Sequence, residues 1–261
     1  MLTRRIHHAI KLTQLTALLT CVCLFGTASR ERPPLIRALP IEDPTGEALF
    51  NFHAALAQGV EIGTTTRIVH YGDSHIASDW FANALRKQWG AGVIYDAFGI
   101  NGARATRALT WDWEALAEQF AAAPPDLIVV AYGSNEAGDT DLNLTTYQRA
   151  FSELLRRFHE AAPLASLLVL APPDRAAKRK GSWQSLASLP PLIEMQRRAA
   201  FENGAAFWNL YEAMGGAGGI NRWREQQPAL AQADHVHLTA AGYRLVAQTL
   251  YQVLRTTELV R

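Results

Sequence analysis

Cysteine is nearly absent from this chain of 261 residues. The only two, Cys21 and Cys23, lie in an apolar stretch near the N-terminus. The remainder therefore offers neither a disulfide nor a thiolate metal site. An excess of one charge is lacking as well: 25 Lys and Arg stand against 24 Asp and Glu, for a net charge of +1. No block of Lys and Arg forms a phosphate-binding stripe, so nucleic acid is not an expected partner. The densest cationic cluster, Arg175 to Lys180, is short and reads as a solvated loop face. Also missing, after the N-terminus, is any run long and apolar enough to span a bilayer. No repeat or low-complexity segment is visible. What remains is 49% hydrophobic and 19% charged, a balance that suits one sizeable globular domain and argues against disorder.

The N-terminus reads differently. Arg4, Arg5 and Lys11 precede the apolar stretch Leu15 to Phe25, which is followed by Gly26-Thr27-Ala28-Ser29 and then Arg30-Glu31-Arg32. That order is the pattern of a secretory signal, with cleavage expected near Ala28 or Ser29 and a secreted or periplasmic product. The alternative is an uncleaved membrane anchor, although the stretch is short for a span. Leu18-Leu19-Thr20 before Cys21 fits a lipoprotein cleavage box poorly. Cleavage would remove three positive charges and leave a balance of about −2. Residues 1–29 are thus read as the signal, 30–45 with Pro33, Pro34, Pro40 and Pro44 as an extended lead-in, and 46–261 as the folded domain.

Within that domain strand-like and helical patterns alternate. Apolar runs near 67–71, 93–98, 127–132, 166–171 and 205–210 are separated by helical periodicity near 78–89, 112–122, 147–161 and 190–203, with a last helix near 240–254. Such alternation predicts an α/β fold, a parallel sheet with helices on both faces. Ligands then bind beyond the carboxyl ends of the strands.

Several polar residues fall at those ends. Ser74 follows the run Arg67 to Tyr71 in Gly72-Asp73-Ser74-His75, on a glycine-led turn into a helical pattern. A serine there presents its hydroxyl at the sheet edge beside backbone N–H groups, although Ser and Asp in a turn also read as helix caps. A serine hydroxyl needs a base and a group that fixes the base's tautomer. Asp234 and His237, in Asp234-His235-Val236-His237 before the last helix, can supply both. His235 competes for the base, but adjacent side chains usually point apart, which favours His237. Oxyanion donors are available from Asn135, in Gly133-Ser134-Asn135-Glu136, and from a backbone N–H at Gly99 or Gly102, in Gly99-Ile100-Asn101-Gly102. Each is also an ordinary turn residue.

These four segments together resemble the SGNH (GDSL-type) hydrolases. That family is named for Ser, Gly, Asn and His in four separated blocks, matched here by Ser74, Gly102, Asn135 and His237 in that order. The resemblance implies a three-layer, flavodoxin-like α/β/α fold and a serine esterase that needs no cofactor. It also implies Ser74 as nucleophile, His237 as general base, Asp234 as its orienting partner, and an oxyanion hole from the Ser74 and Gly102 N–H groups and the Asn135 amide. Two positions depart from the pattern: His75 stands where leucine is usual, and Glu136 where aspartate commonly follows the Asn. Gly-Asp-Ser-His, Tyr-Gly-Ser-Asn-Glu and Ala171-Pro172-Pro173-Asp174-Arg175 further resemble the branch containing bacterial peptidoglycan O-acetylesterases, which implies an acylated cell-envelope polysaccharide as substrate.

Other readings are weaker. An α/β-hydrolase carries its serine in Gly-x-Ser-x-Gly, but Ile76 occupies the second glycine position. His70, His75, His235 and His237 suggest a metal hydrolase, yet His70 lies within a strand, where a core role is more common. A non-catalytic binding protein would have no need of the complete set. Among ester-cleaving readings, a lysophospholipase or thioesterase and an acyltransferase remain open. The stretches Gly181 to Pro191 and Gly215 to Gly219 read as irregular walls or lids. Trp183, in the first, and Trp223, just after the second, either stack on a sugar ring or pack over the hydrophobic edge.

Overall fold

The computed structural model describes residues 35–258. The signal sequence read over residues 1–29, and the first part of the lead-in, lie outside the described residues.

The chain runs through α1 (Phe50–Ile62), β1 (Thr66–Gly72), α2 (Ser74–Ala77), α3 (Trp80–Trp89), β2 (Val93–Gly99), α4 (Ala105–Ala108), α5 (Trp113–Ala122) and β3 (Leu127–Ala131). It continues through α6 (Leu144–Ala161), β4 (Ser166–Leu170), a hairpin of β5 (Ala176–Arg179) and β6 (Ser182–Ser185), α7 (Leu189–Glu202) and β7 (Ala206–Trp208). The helices α8 (Leu210–Ala213), α9 (Gly219–Arg224) and α10 (Ala240–Glu258) complete it. Five strands form one sheet in the order β2-β1-β3-β4-β7, with every neighbouring pair parallel. This is the flavodoxin-like order. The chain crosses from β1 to β2 on one side, then returns to place β3 on the other. The crevice between the carboxyl ends of β1 and β3 is therefore the switch point where such sheets take ligands.

The central strands are apolar throughout because both their faces are covered. Side chains alternate between those faces. Ile68, Leu127, Val129 and Leu168 pack with Phe52 of α1, Leu85 of α3 and Leu250 of α10. Val69, Ile128, Val130 and Val169 pack with Phe120 of α5, Leu154 of α6 and Leu192 of α7. Two cores thus sandwich the sheet and hold its carboxyl edge rigid.

The departures from the sequence reading lie outside this sheet. The helix α1 carried no clear helical stripe, because Val60 and Ile62 stay 81% and 73% exposed. Residues 182–185, expected to be irregular, form strand β6, and α7 already begins at Leu189. Left-handed Gly215, Gly216 and Gly218, at φ 97°, 68° and 78°, lead directly into α9. Residues of the lead-in lie beside β7, where Glu42 makes an antiparallel bridge with Phe207 and Leu39 O accepts from Trp208 Nε1 at 3.0 Å.

Candidate active site

The turn after β1 fits only because two glycines permit it. A Cβ on Gly72 would lie 2.4 Å from Ile76 Cγ1 and 2.8 Å from Ala131 O, and one on Gly99 would lie 2.0 Å from Ala77 N. The helical turn α2 therefore nests directly against the ends of β2 and β3. Asp73 caps it: its Oδ1 accepts from His75 N at 2.9 Å, and its carbonyl from Ile76 N and Ala77 N at 3.1 and 3.0 Å. Ser74 is thereby fixed as the first residue of α2, facing out of the crevice.

The loop before α10 meets it there. Asp234 Oδ1 accepts from the N–H groups of Val236 and His237, both at 3.0 Å. Its Oδ2 lies 2.7 Å from His237 Nδ1, and His237 Nε2 lies 2.9 Å from Ser74 Oγ. The carboxylate makes Nδ1 the protonated nitrogen, which leaves Nε2 free to accept the serine proton. Burial alone would raise the Asp234 pKa, but these three hydrogen bonds together bring it below the ordinary value. His235 takes another course: at φ 55° its ring turns away, stacks on Trp183 and places Nδ1 2.7 Å from Asn221 Oδ1.

Asn135 and the Gly102 segment, both expected to supply oxyanion donors, lie against each other. Asn135 Nδ2 gives one hydrogen to Ala103 O at 2.9 Å and keeps the other. Among the described residues neither the Ser74 nor the Gly102 N–H donates to a protein acceptor. Gly102 has φ 71° with open space at the Cβ position, whereas Gly99 is committed to packing on α2. That contrast separates the two glycines left open above. The Asn135 and Gly102 segments are tied by further bonds: Glu136 Oε1 accepts from Ala105 N at 2.7 Å, and Arg104 makes a two-pronged pair with Asp139 at 3.0 and 2.6 Å. Glu136 is thus a strut, with its pKa raised by burial.

His75 has a structural part as well. Its Nδ1 lies 2.9 Å from Tyr243 Oη on α10 and its Nε2 3.4 Å from Ser134 Oγ. Burial first, then the neighbouring His237 and Arg175, lowers its pKa to about 3, so it is neutral near pH 7. Beside it, Asp73 is 2% exposed and borders a cavity walled by Ile76, Phe81, Leu170 and Leu238. Burial raises its pKa to about 7. His70 is fully buried, with Nδ1 2.6 Å from Tyr95 Oη. Trp223 is buried too, its Nε1 donating to Leu35 O at 3.0 Å, which removes it from the possible sugar contacts.

One residue the sequence reading misplaced is Arg175. Expected on a solvated loop face, it turns inward: Nη1 donates to Ser134 O, the guanidinium lies against Gly138, and the charge faces Asp73, Asp234 and Asp139. It thereby anchors the carbonyl preceding Asn135. Its place at the end of the Pro172-Pro173-Asp174 segment, outside the run Lys178 to Lys180, is the signal that sets it apart.

A model of the GDSL-like lipase/acylhydrolase family matches residues 56–245. The chain belongs to that family. This GDSL-type protein is a carboxylic ester hydrolase of the SGNH kind. A comparison with curated proteins returned no match. Among solved structures, a peptidoglycan O-acetylesterase superposes with a TM-score of 0.71 at 19% identity, covering 83% of this chain and 99% of that one. A carbohydrate acetylesterase family member from Sinorhizobium meliloti gives 0.51 at 19% identity over 75% of this chain and 100% of its own. An acetyl xylan esterase gives 0.55 at 15% identity over 71% and 98%. At these identities the likeness is one of fold. The GDSL-type hydrolase therefore shares the three-layer architecture expected from its sequence.

Proposed function

We propose that the protein is a secreted or periplasmic serine esterase that removes short acyl groups, chiefly acetyl, from a cell-envelope polysaccharide. The observation that carries this reading is the unbroken line Asp234–His237–Ser74, with contacts of 2.7 and 2.9 Å. In the first step His237 Nε2 takes the Ser74 proton as Oγ attacks the ester carbonyl. The oxyanion is held by the Ser74 and Gly102 N–H groups and the free Asn135 hydrogen. Collapse expels the sugar alkoxide, which receives the proton from His237 and leaves acetyl-Ser74. Water, deprotonated by the same imidazole, attacks that ester; Ser74 recovers its proton and acetate departs. Serine, histidine and aspartate complete this cycle without a metal or organic cofactor.

The structural likeness to a peptidoglycan O-acetylesterase and an acetyl xylan esterase supports an acetylated glycan, and the N-terminal signal pattern supports export. A second reading, hydrolysis of a lipid ester or thioester, is favoured by Phe98 and Ile100, which stay 51% and 43% exposed at the end of β2. The test is release of acetate from acetylated peptidoglycan and acetylated xylan, beside a lysophospholipid and a series of p-nitrophenyl esters. Acetate release, with p-nitrophenyl rates falling steeply beyond about four carbons as a small acyl pocket requires, supports the proposal. A preference for octanoate or longer chains overturns it in favour of the lipid reading.

A further inference from the structure

The β5–β6 hairpin is a feature that the catalytic machinery leaves unused. It projects from the carboxyl end of β4 and turns at Lys180-Gly181, with φ 48° and 83°. Its foot is built into the body. Asp174, fully buried, accepts from Ser185 Oγ at 2.8 Å and from Ile220 N at 3.0 Å, while Ser185 Oγ accepts from Gly218 N at 2.8 Å. Asn221 Nδ2 donates to Trp183 O at 3.1 Å, and Ala176 N donates to His235 O at 2.9 Å. Hairpin, α9 and base loop are therefore one braced unit.

On this frame the side chains sort by the strand period. Ala176 pairs with Ser185 and Lys178 with Trp183, so all four share the face turned towards α9 and the base loop. The Trp183 ring stacks on His235 at 4.1 Å and 16°, yet remains 38% exposed. Lys178, directly across the ladder from it, is exposed and has no ion-pair partner among the described residues. Directly opposed side chains in such a ladder stand about 5 Å apart. Arg224 of α9 lies near enough to His235 that its charge, after burial, helps to lower the His235 pKa; Asp234 opposes it. Only Val236 separates His235 from His237, so their Cα atoms lie about 7 Å apart at most.

We propose that Lys178, Trp183, His235 and Arg224 form a subsite for an anionic sugar unit next to the acylated one, so that the preferred substrate is an acidic glycan. The inference rests on the polysaccharide-esterase reading and adds the charge of the polymer. The aromatic pair offers a flat apolar surface for one face of a pyranose ring. Lys178, opposite Trp183 in the ladder, and Arg224, near His235, supply positive charge beside it for a ring carboxylate or carboxyl-bearing substituent, and charge-assisted pairs of this kind are the stronger ones. Arg222 is not part of the site, since its guanidinium is held by Gly215 O and Ala217 O at 2.8 and 3.1 Å.

The test is binding by the full chain carrying Ser74→Ala, with polygalacturonate oligosaccharides as the acidic probe and xylo-oligosaccharides as the neutral one. The acidic probe should bind at least tenfold more tightly in 50 mM NaCl, and the preference should vanish in 500 mM NaCl as the charges are screened. Adding Lys178→Gln and Arg224→Gln should abolish the preference while leaving affinity for the neutral probe. Trp183→Ala should weaken both probes, and Lys87→Gln on α3 should change neither. Equal affinity for the two probes, a preference that survives the double substitution, or binding to anionic phosphatidylglycerol vesicles without any glycan preference would overturn the subsite. The esterase reading fails separately, if the wild-type chain releases acetate from no acetylated glycan.

Discussion

Replacing Asp73 by Asn should change how stability depends on pH more than it changes the fold. The carboxyl is 2% exposed, and its pKa rises from 3.8 to about 7, chiefly through burial, then through the charge of Glu136, with the His75 N–H and Arg175 opposing. A raised carboxyl pKa means that the native state holds a proton the unfolded chain has already released. This contribution is fully present below pH 3.8, is lost progressively as pH rises, and is gone above about pH 7. At 1.36 kcal/mol for each pKa unit the whole window is worth about 4 kcal/mol, of which about 3 kcal/mol falls between pH 5 and pH 8. Asn preserves the acceptor for His75 N and cannot ionise. Thermal melts of wild type and Asp73→Asn across that range should therefore diverge, with the wild type losing on the order of 10 °C more than the variant. Parallel curves would refute the reasoning: they would mean that Arg175 keeps the carboxylate ionised in the native state.

Three further outcomes follow from the site geometry. A fluorophosphonate should add one label at Ser74 and none in Ser74→Ala, read by intact-protein mass spectrometry; persistent labelling would move the nucleophile elsewhere. Asp234→Asn should reduce kcat by up to about ten-thousandfold, because the amide no longer fixes Nδ1–H on His237; a mild loss would show that the Val236 and His237 turn alone orients the ring. Asn135→Ala should cost roughly a hundred- to a thousandfold in kcat with little change in KM, as for loss of one oxyanion donor, and a rise in KM with kcat unchanged would instead assign the amide to ground-state binding.

The sheet and the four chemical segments were legible in the sequence because each leaves a local trace. Runs such as Leu127 to Ala131 are apolar on both faces, and the turns carrying Ser74, Asn135 and His237 hold small and polar residues just beyond such runs or just before a helix. What escaped leaves a faint local trace or none. The hairpin lies outside the sheet, so Lys178, Arg179 and Ser182 show no apolar alternation and resemble a solvated loop. The inward course of Arg175 depends on the Ser134 carbonyl, 41 residues away. Trp183 and Trp223 are both tryptophans beside irregular stretches; only tertiary packing puts Trp223 of α9 in the core and leaves Trp183 part open. The preference for His237 over His235 was legible, but the left-handed conformation that turns the His235 ring onto Trp183 followed from no composition rule.

The Ser74–His237 contact joins positions 163 residues apart, and this separation has a kinetic consequence. Ser74 opens α2 just after the first strand, while His237 precedes the last helix, whose Tyr243 Oη lies 2.9 Å from His75 Nδ1. No fragment that ends before His237 contains both members of the pair. Contacts of such sequence distance close late, after local helices and neighbouring strands have gathered. During refolding from denaturant, far-UV circular dichroism should therefore recover ahead of esterase activity, and catalysis would time the docking of α10.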